Sequence, residues 1–370
     1  MNASSSLMMI GVGTAGCALA RGVRQAFGED IRLLLADTDA GTGRSDGPFV
    51  LLGGDRLSGR GTGGNDVNGR MAAEDSLHAL DASLQGVRLA VVVTALGGGT
   101  GTGATIEIVK HLRSRAIAAT VFATEPFKME GEERARRARG ALPLIAENAN
   151  GAFFIPLDKL VQGEDNLAEA LQRAIGTLAS GIALFWRLLE KPGYIRLDVE
   201  RLLHIVEQAG RARFAAIEAQ GPGRAAEILD KLARTPLLAR SEGPLQSVLL
   251  GILAGDDLRL GECAKLADGV QALAGGKVPF TLATVNDEQT FAGRLCAVVF
   301  FFELGAGTAD GDAQGKTPRR AARRNAKNGS ALAVGPQAQG GRFSNIEATF
   351  YNNENLDVPT FIRRGISIES

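Results

Sequence analysis

The sequence predicts an α/β protein in which a doubly wound parallel-sheet domain is joined by one long helix to a smaller α+β domain. Three observations carry this. Apolar runs at residues 7–12, 31–36, 88–94 and 116–124 alternate with helical patterns, and the run at 88–94 is almost purely apolar, as a parallel strand covered on both faces requires. Leu167, Leu171, Ala174, Ile175, Leu178, Ile182, Phe185 and Leu189 recur at helical spacing through 164–190, and Pro192-Gly193 closes the pattern. Such a helix would be roughly 40 Å long, enough to run the length of a domain. Beyond it, helices and strands cease to alternate strictly.

Taken in order, the strand at 7–12 breaks at Gly13 and leads into a helix ending near Phe27. The strand at 31–36 is closed by Asp37-Thr38-Asp39. Residues 41–69 are rich in Gly, Asp and Ser, with an apolar patch at 49–52, and a helix covers 70–84. The glycine run 97–103 separates the strand at 88–94 from a helix reaching 113, and a short strand falls at 153–155. After the long helix, 201–220 and 223–233 read as helices, 247–254 as a strand and 261–274 as a helix, with strands at 280–285 and 294–302. Residues 305–341 lose almost all large apolar side chains and read as a disordered linker. The expected organisation is therefore 1–163, a central helix at 164–192, a second domain at 193–304, the linker, and a tail at 342–370.

The 41 basic and 41 acidic residues cancel, so nothing draws the chain generally to nucleic acid or anionic lipid. Arg319, Arg320, Arg323 and Arg324 lie in the linker and read as a solvated charge run, with weak DNA or membrane contact as the alternative. Cys17, Cys263 and Cys296 are scattered and odd in number, which argues against a disulfide framework and for a reducing cytoplasm. No apolar stretch approaches the ~20 residues that span a bilayer. The first six residues lack the basic start of an export signal, so a cytoplasmic protein is expected.

The strongest chemical signal is Gly97-Gly98-Gly99-Thr100-Gly101-Thr102-Gly103 between a buried strand and a helix. There, backbone amides and the positive end of the helix dipole favour a phosphate, and two threonines add hydroxyl donors. No lysine follows, so this is not a Walker-type loop. A purely structural turn, made for close packing, is the alternative. Gly11-x-Gly13-x-x-Gly16 also opens a helix after a strand, and Asp37 stands about where a ribose-binding acid belongs in dinucleotide oxidoreductases. That reading leaves the run at 97–103 unexplained.

The run at 97–103 resembles the signature of the tubulin/FtsZ superfamily, and other segments agree with that family in order. Gly11-Val12-Gly13-Thr14-Ala15-Gly16-Cys17, followed by Ala18, resembles its first nucleotide loop, and Asp37-Thr38-Asp39-Ala40 its second. Gly63-Gly64-Asn65-Asp66-Val67-Asn68-Gly69-Arg70 resembles the third, which in the family senses the γ-phosphate. Glu125-Pro126-Phe127-Lys128-Met129-Glu130-Gly131-Glu132-Glu133-Arg134 resembles the element that places Glu130 and Arg134 near ribose and guanine. The resemblance covers about residues 7–304 and implies GTP or GDP as ligand with Mg²⁺, no metal site being made by protein side chains alone. It also implies head-to-tail filaments and a cytoplasmic role at the division site.

Two departures and a tail complete the reading. In the family, an acidic loop of one subunit completes the neighbour's site; here the matching residues are Gly193 to Arg201, with Asp198 as the catalytic residue. Arg196 and Arg201 replace polar and acidic family residues, which implies slow hydrolysis; the alternatives are a salt link from them to the neighbour's γ-phosphate, favouring stable filaments, and two arginines that simply face solvent. A further possibility is a filament scaffold that does not hydrolyse at all. The central helix offers Gln172-Arg173 or Ile175-Gly176 where the family presents Asn-Asp to guanine, and Ala18 replaces an asparagine. In the tail, Leu356, Asp357, Val358, Pro359, Phe361, Ile362, Arg363 and Arg364 resemble the FtsZ C-terminal peptide, which binds membrane-tethering and regulatory division proteins. Contact with the membrane would then be indirect.

Overall fold

Leu7–Val12 (β1) is buried along its whole length, because the strands on either side and the helices above and below leave no face to water. The same holds for Leu33–Asp37 (β2), and six of the seven residues of Leu89–Ala95 (β4) are buried. With Phe49–Leu51 (β3), Ala118–Glu125 (β5) and Gly151–Pro156 (β6) they pair in parallel, in the order β3-β2-β1-β4-β5-β6. The parallel crossovers use Gly13–Phe27 (α1), Asp66–Ser76 (α3), Gly99–Ser114 (α4) and Glu132–Asn148 (α5), with a single turn at Gly54–Leu57 (α2) before α3. The computed structural model describes residues 6–28, 31–44, 47–161, 166–197, 199–206, 209–238 and 244–304, with 350–351 and 354–355.

The sheet continues past β6. Leu167–Glu190 (α6) is followed by Val199–Val206 (α7), Ala209–Gln220 (β7), Arg224–Arg234 (α8), Leu245–Ala254 (β8) and Leu260–Leu273 (α9). Phe280–Asn286 (β9), Glu288–Phe291 (α10) and Arg294–Leu304 (β10) complete the set. Strand β10 lies antiparallel between β7 and β8, and β9 runs parallel to β8. One residue pair, Phe153 with Ala212, joins β6 to β7 and makes a single ten-stranded sheet. These elements all lie within the compact unit Met1–Gly311; among the described residues of Asp312–Ser370, Phe350–Tyr351 (β11) pairs antiparallel with Glu354–Asn355 (β12).

One expected element is corrected. Residues 201–220 do not form one helix: α7 stops at Val206 and residues 209–220 form β7. The segment is rich in Ala, Arg and Glu, which favour helix locally. Pairing along most of its length with β10, beginning at Arg294 opposite Gln220, overrides that preference. The long helix starts at Leu167, after Asn166, whose side chain accepts a hydrogen bond from the Ala168 amide at 3.0 Å. Its 24 residues span roughly 36 Å.

The core spans both parts of the sheet. Phe122 and Phe153 stack at 4.6 Å between centroids, and Phe185 of α6, Phe214 of β7, and Phe300 and Phe302 of β10 close around them. Near its end α6 carries Arg187, almost fully buried, which donates to the Phe27 carbonyl and pairs with Asp287 at 3.3 Å. Its guanidinium also lies 4.6 Å from the centre of the Phe27 ring. The helix thus ties the end of α1 to the distal half.

A second buried arginine fastens the distal half internally. Arg224, at the start of α8, grips Glu262 with Nε and Nη2 at 2.7 and 2.9 Å and Asp257 with Nη1 at 2.7 Å. The hydrogen bond from Arg224 holds the Glu262 carboxyl below the usual carboxylate range. A carboxylate depressed in the folded state contributes stability above its unfolded pKa, and loses it as pH falls through the folded value. Glu262→Gln is therefore expected to cost about 1 kcal/mol at neutral pH, and the gap from the parent should close below about pH 4. Urea unfolding at both pH values checks this; an equal gap at both would show that Glu262 acts through packing.

Candidate functional site

The C-terminal ends of β1, β4 and β5 open into a cavity of about 480 Å³, the edge of a parallel sheet where ligands of doubly wound folds sit. Val12, Thr94 and Thr124 mark those strand ends. Two helices point their first turns at it. Helix α1 begins at Gly13, with φ +73°, and neither α1 nor α4 has a side-chain cap on its first amides. Those amides remain available to an anion.

Close backbone packing sets this geometry. A Cβ on Gly16 would lie 2.6 Å from the Val93 carbonyl, and one on Gly13 would lie 2.9 Å from the Gly101 nitrogen. In the run at 97–103, Gly99, Gly101 and Gly103 are occupied by neighbours: their Cβ positions fall 2.1 Å from Thr62 Oγ1, 2.2 Å from the Ala95 carbonyl and 2.0 Å from the Asp66 carbonyl. Gly97 has φ +97°. Only at Gly98 does the missing side chain face open space, and Gly98 lines the cavity. The run is thus a packing device at Gly99, Gly101 and Gly103, and leaves room beside the cavity at Gly98.

The hydroxyls are organised around one acid. Asp37, 1% exposed, accepts hydrogen bonds from Thr14 Oγ1 at 2.8 Å, Thr42 Oγ1 at 2.7 Å and the Thr38 amide at 2.8 Å. Three protein donors on a buried carboxylate leave Asp37 as a scaffold for the first loop, not a group that reaches for a ribose. That removes the main support for the oxidoreductase reading. Thr38 and Thr100 share a hydrogen bond of 2.6 Å, linking the second loop to α4. Thr102 Oγ1 accepts from the Gly97 amide at 2.9 Å.

Of the residues singled out in the sequence, Gly13, Thr14, Ala15, Gly16, Asp39, Gly63, Gly64, Gly98, Gly99, Thr100, Gly101, Glu130 and Arg134 line this cavity. Gly11, Cys17, Ala18, Asn65, Gly97, Thr102 and Gly103 do not; most support the residues that do. Asn65 caps α3, accepting from the Val67 and Asn68 amides at 2.9 and 3.2 Å. Cys17 Sγ donates to the Gly11 carbonyl, and burial pushes its thiol up to about 12, so it is a neutral staple. Glu130 accepts from the Phe127 amide at 2.9 Å and pairs with Arg134. Asp198, the linker at 305–341 and the peptide from Leu356 to Arg364 lie outside the described residues.

One wall was anticipated in the sequence only at Ile175. Leu171, Ala174, Ile175 and Leu178 of α6 line the cavity, together with Thr124, Pro126, Phe127 and Leu157. From spacing alone these residues read as a core stripe, because a helix that walls a cavity and one that packs a core present the same period. Gln172 and Arg173, exposed on another face of α6, do not line it. The lining carries three acids (Asp37, Asp39, Glu130) and one cation (Arg134). Among the described residues no group of three His, Cys, Asp or Glu is placed to hold a metal. A magnesium ion fits here only as a phosphate-bound partner, held mainly by ligand oxygens and water.

The far end of α6 carries the second candidate segment. Residues 192–195 are laid against β9: the Thr284 amide donates to the Ile195 carbonyl at 2.7 Å, and the Ile195 amide donates to Thr284 Oγ1 at 2.9 Å. A Cβ on Gly193 would fall 1.7 Å from the Thr284 carbonyl, so only glycine permits this seat. Tyr194 is 76% exposed as a result. Arg196 is exposed, and Glu200, in the first turn of α7, pairs with Arg88, away from the loop.

A parallel sheet whose carboxyl edge holds uncapped helix amides, a threonine network and an apolar wall defines an α/β protein of the nucleotide-site class. Residues 6–164 match the family model described as "Tubulin/FtsZ family, GTPase domain". The chain is 30% identical over 291 residues to the cell division protein FtsZ of Pseudomonas putida, covering 77% of this chain and 73% of that one. It is also 30% identical over 294 residues to FtsZ of Azotobacter vinelandii, covering 77% and 74%. This chain belongs to the tubulin/FtsZ family. Its fold matches an empty FtsZ dimer of M. jannaschii with a TM-score of 0.74 at 22% identity, over 84% of this chain and 95% of that one. It also matches a GTPγS-bound CetZ2 protofilament from Haloferax volcanii with a TM-score of 0.67 at 20% identity, over 81% and 94%.

Proposed function

We propose that this chain binds GTP or GDP in the cavity and assembles head-to-tail into cytoplasmic filaments of the cell-division type. Hydrolysis is completed by the loop at 193–201 of the neighbouring copy. The observation that carries the reading is the convergence on one cavity of two uncapped helix starts and the loops at 13–16, 37–39, 61–64 and 98–101. Amides of residues 98–101 and the Thr100 hydroxyl hold phosphates, and the apolar wall on α6 receives the base. Glu130 and Arg134 sit at the ribose end. Magnesium, bound with the nucleotide, supplies charge neutralisation on the phosphates. The residues of the chain do the orienting: the Asp37 cluster fixes Thr14, and the α3–α4 contact fixes the amides.

Two exposed apolar groups favour self-assembly by a heterologous contact. Val67 and Met71 on α3 and Met129 flank the cavity loops, while Tyr194, Ile195 and Leu260 lie at the other end of α6. Leu260 belongs to that far end because β8 ends at Ala254, paired with Asn286, whose amide bonds to the Pro192 carbonyl. Two different patches, one toward each end of α6, give an open filament rather than a closed dimer. Hydrolysis is slow in this reading, since Arg196 stands in the loop that must orient water. The peptide from Leu356 to Arg364 recruits membrane-tethering and regulatory partners and positions the filament at the division site.

The test is bound-nucleotide analysis together with phosphate release at increasing protein concentration. A shared active site makes specific activity climb with assembly, whereas a constant specific activity would place hydrolysis within one copy. Asp198→Ala is expected to lower phosphate release on the order of tenfold or more while nucleotide stays bound. Unchanged release in that variant would assign the water to another residue.

A further inference from the structure

The proposed ligand brings several negative charges to a cavity that already holds three acids. The one cation among the described lining residues, Arg134, is held by Glu130 at the Phe127 end. The phosphate end, made by residues 13–16, 61–64 and 98–101, has no lysine or arginine in its lining.

Directly behind the third loop stands Arg137 of α5. Its side chain is 18% exposed, and its Nε is buried with no hydrogen-bond partner. The acid nearest its guanidinium is Glu133, one turn earlier at 3.6 Å and largely exposed, which makes a weak partner. Nη1 lies beside Gly64, where a Cβ would come within 3.3 Å of it. Gly63 and Gly64 have φ of +61° and +82°, and both line the cavity. The guanidinium thus stands against the backbone of a glycine that lines the cavity, while Arg137 itself lines the neighbouring cleft between α3, α4 and α5. The other charged groups around Arg137 are Asp66, Arg136 and Arg70, the last held by Glu107 at 2.6 Å.

A buried guanidinium nitrogen with no acceptor is costly unless something completes it. We propose that Arg137 is a phosphate-binding residue of this same chain, gripping the terminal phosphate of a nucleoside triphosphate across the Gly63–Gly64 backbone. It thereby discriminates triphosphate from diphosphate. The proposal rests on the nucleotide reading given above. It differs from a loop that senses the phosphate through amides alone, because it supplies the missing positive charge, with planar donors suited to phosphate oxygens.

The experiment is displacement of a fluorescent guanine nucleotide by GTP and by GDP, with magnesium, from the full chain and three variants. Arg137→Met is expected to weaken GTP on the order of 10- to 100-fold while GDP changes by less than about threefold. Arg136→Met, on the same helix but exposed, should behave as the parent. Equal losses for GTP and GDP in folded Arg137→Met, or no loss for either, would overturn the proposal. If that variant melts early, Arg137→Lys decides: a reduced preference for GTP over GDP supports the assignment, and an unchanged preference overturns it. A parent chain that binds neither nucleotide would sink the nucleotide reading itself, whereas a parent that binds both with Arg137→Met unchanged sinks only this inference.

Discussion

Replacing Gly103 by alanine is expected to cost about 3 kcal/mol or more, whereas replacing Gly98 by alanine should leave the fold intact and cripple ligand binding. Both lie in or beside the first turn of α4. In an ordinary helix, Gly→Ala gains about 1 kcal/mol. At Gly103 that gain is overwhelmed, because the new methyl would sit 2.0 Å from the Asp66 carbonyl oxygen and 2.6 Å from the Arg70 nitrogen, both backbone atoms. The α3–α4 contact would have to open, lowering the melting temperature by roughly 6–12 °C. Gly98 has φ −81° and ψ 175°, which alanine adopts freely, and its Cβ would meet nothing within 4 Å. Its methyl would project into the cavity and weaken nucleotide binding about 10-fold to 100-fold. Calorimetry and nucleotide titration of the two variants check the pair. Equal melting temperatures would show that the glycine run is not a packing device.

The second large effect concerns assembly. Tyr194→Asp places a charge at the centre of one exposed patch, and Val67→Asp does the same at the other. Each is expected to raise the concentration needed for pelleting on the order of 100-fold, with nucleotide binding unchanged, since neither residue lines the cavity. Mixing the two should restore one junction: the intact cavity end of Tyr194→Asp can still meet the intact Tyr194 end of Val67→Asp. The mixture then sediments as dimers, while either variant alone stays monomeric. Dimers in each variant alone would point to a two-fold contact instead of a heterologous one.

The strands and loops of the N-terminal half were legible because glycine and apolar runs alternate sharply there. Leu7–Val12 was read to the residue; the run at 97–103 was read as a turn separating strand from helix, whereas Gly99 to Gly103 already belong to α4. Strand β7 was not legible, since Ala212, Ala215, Ala216 and Ala219 suit a helix and only the β10 partner makes them a strand. The division of labour within the glycine run was equally hidden: spacing cannot say which missing Cβ faces a neighbour and which faces a ligand. Arg137 gave no signal at all, standing among Arg134, Arg136 and Arg139 on one helix. Only its unpartnered, buried Nε and an Nη1 set against Gly64 distinguish it.

The six interleaved phenyl rings of the core have a mechanical consequence. A single strand-to-strand rung joins the two parts of the sheet, which by itself would make a compliant hinge. The rings of Phe122, Phe153, Phe185, Phe214, Phe300 and Phe302 straddle that rung, so any swing of the distal part must shear them past one another. Phe122 lies two residues before Thr124, on the strand that delivers Thr124 to the pocket wall. A load applied where Tyr194 protrudes is thus carried by a stiff strut to the ligand's doorstep, with no slack joint to absorb it.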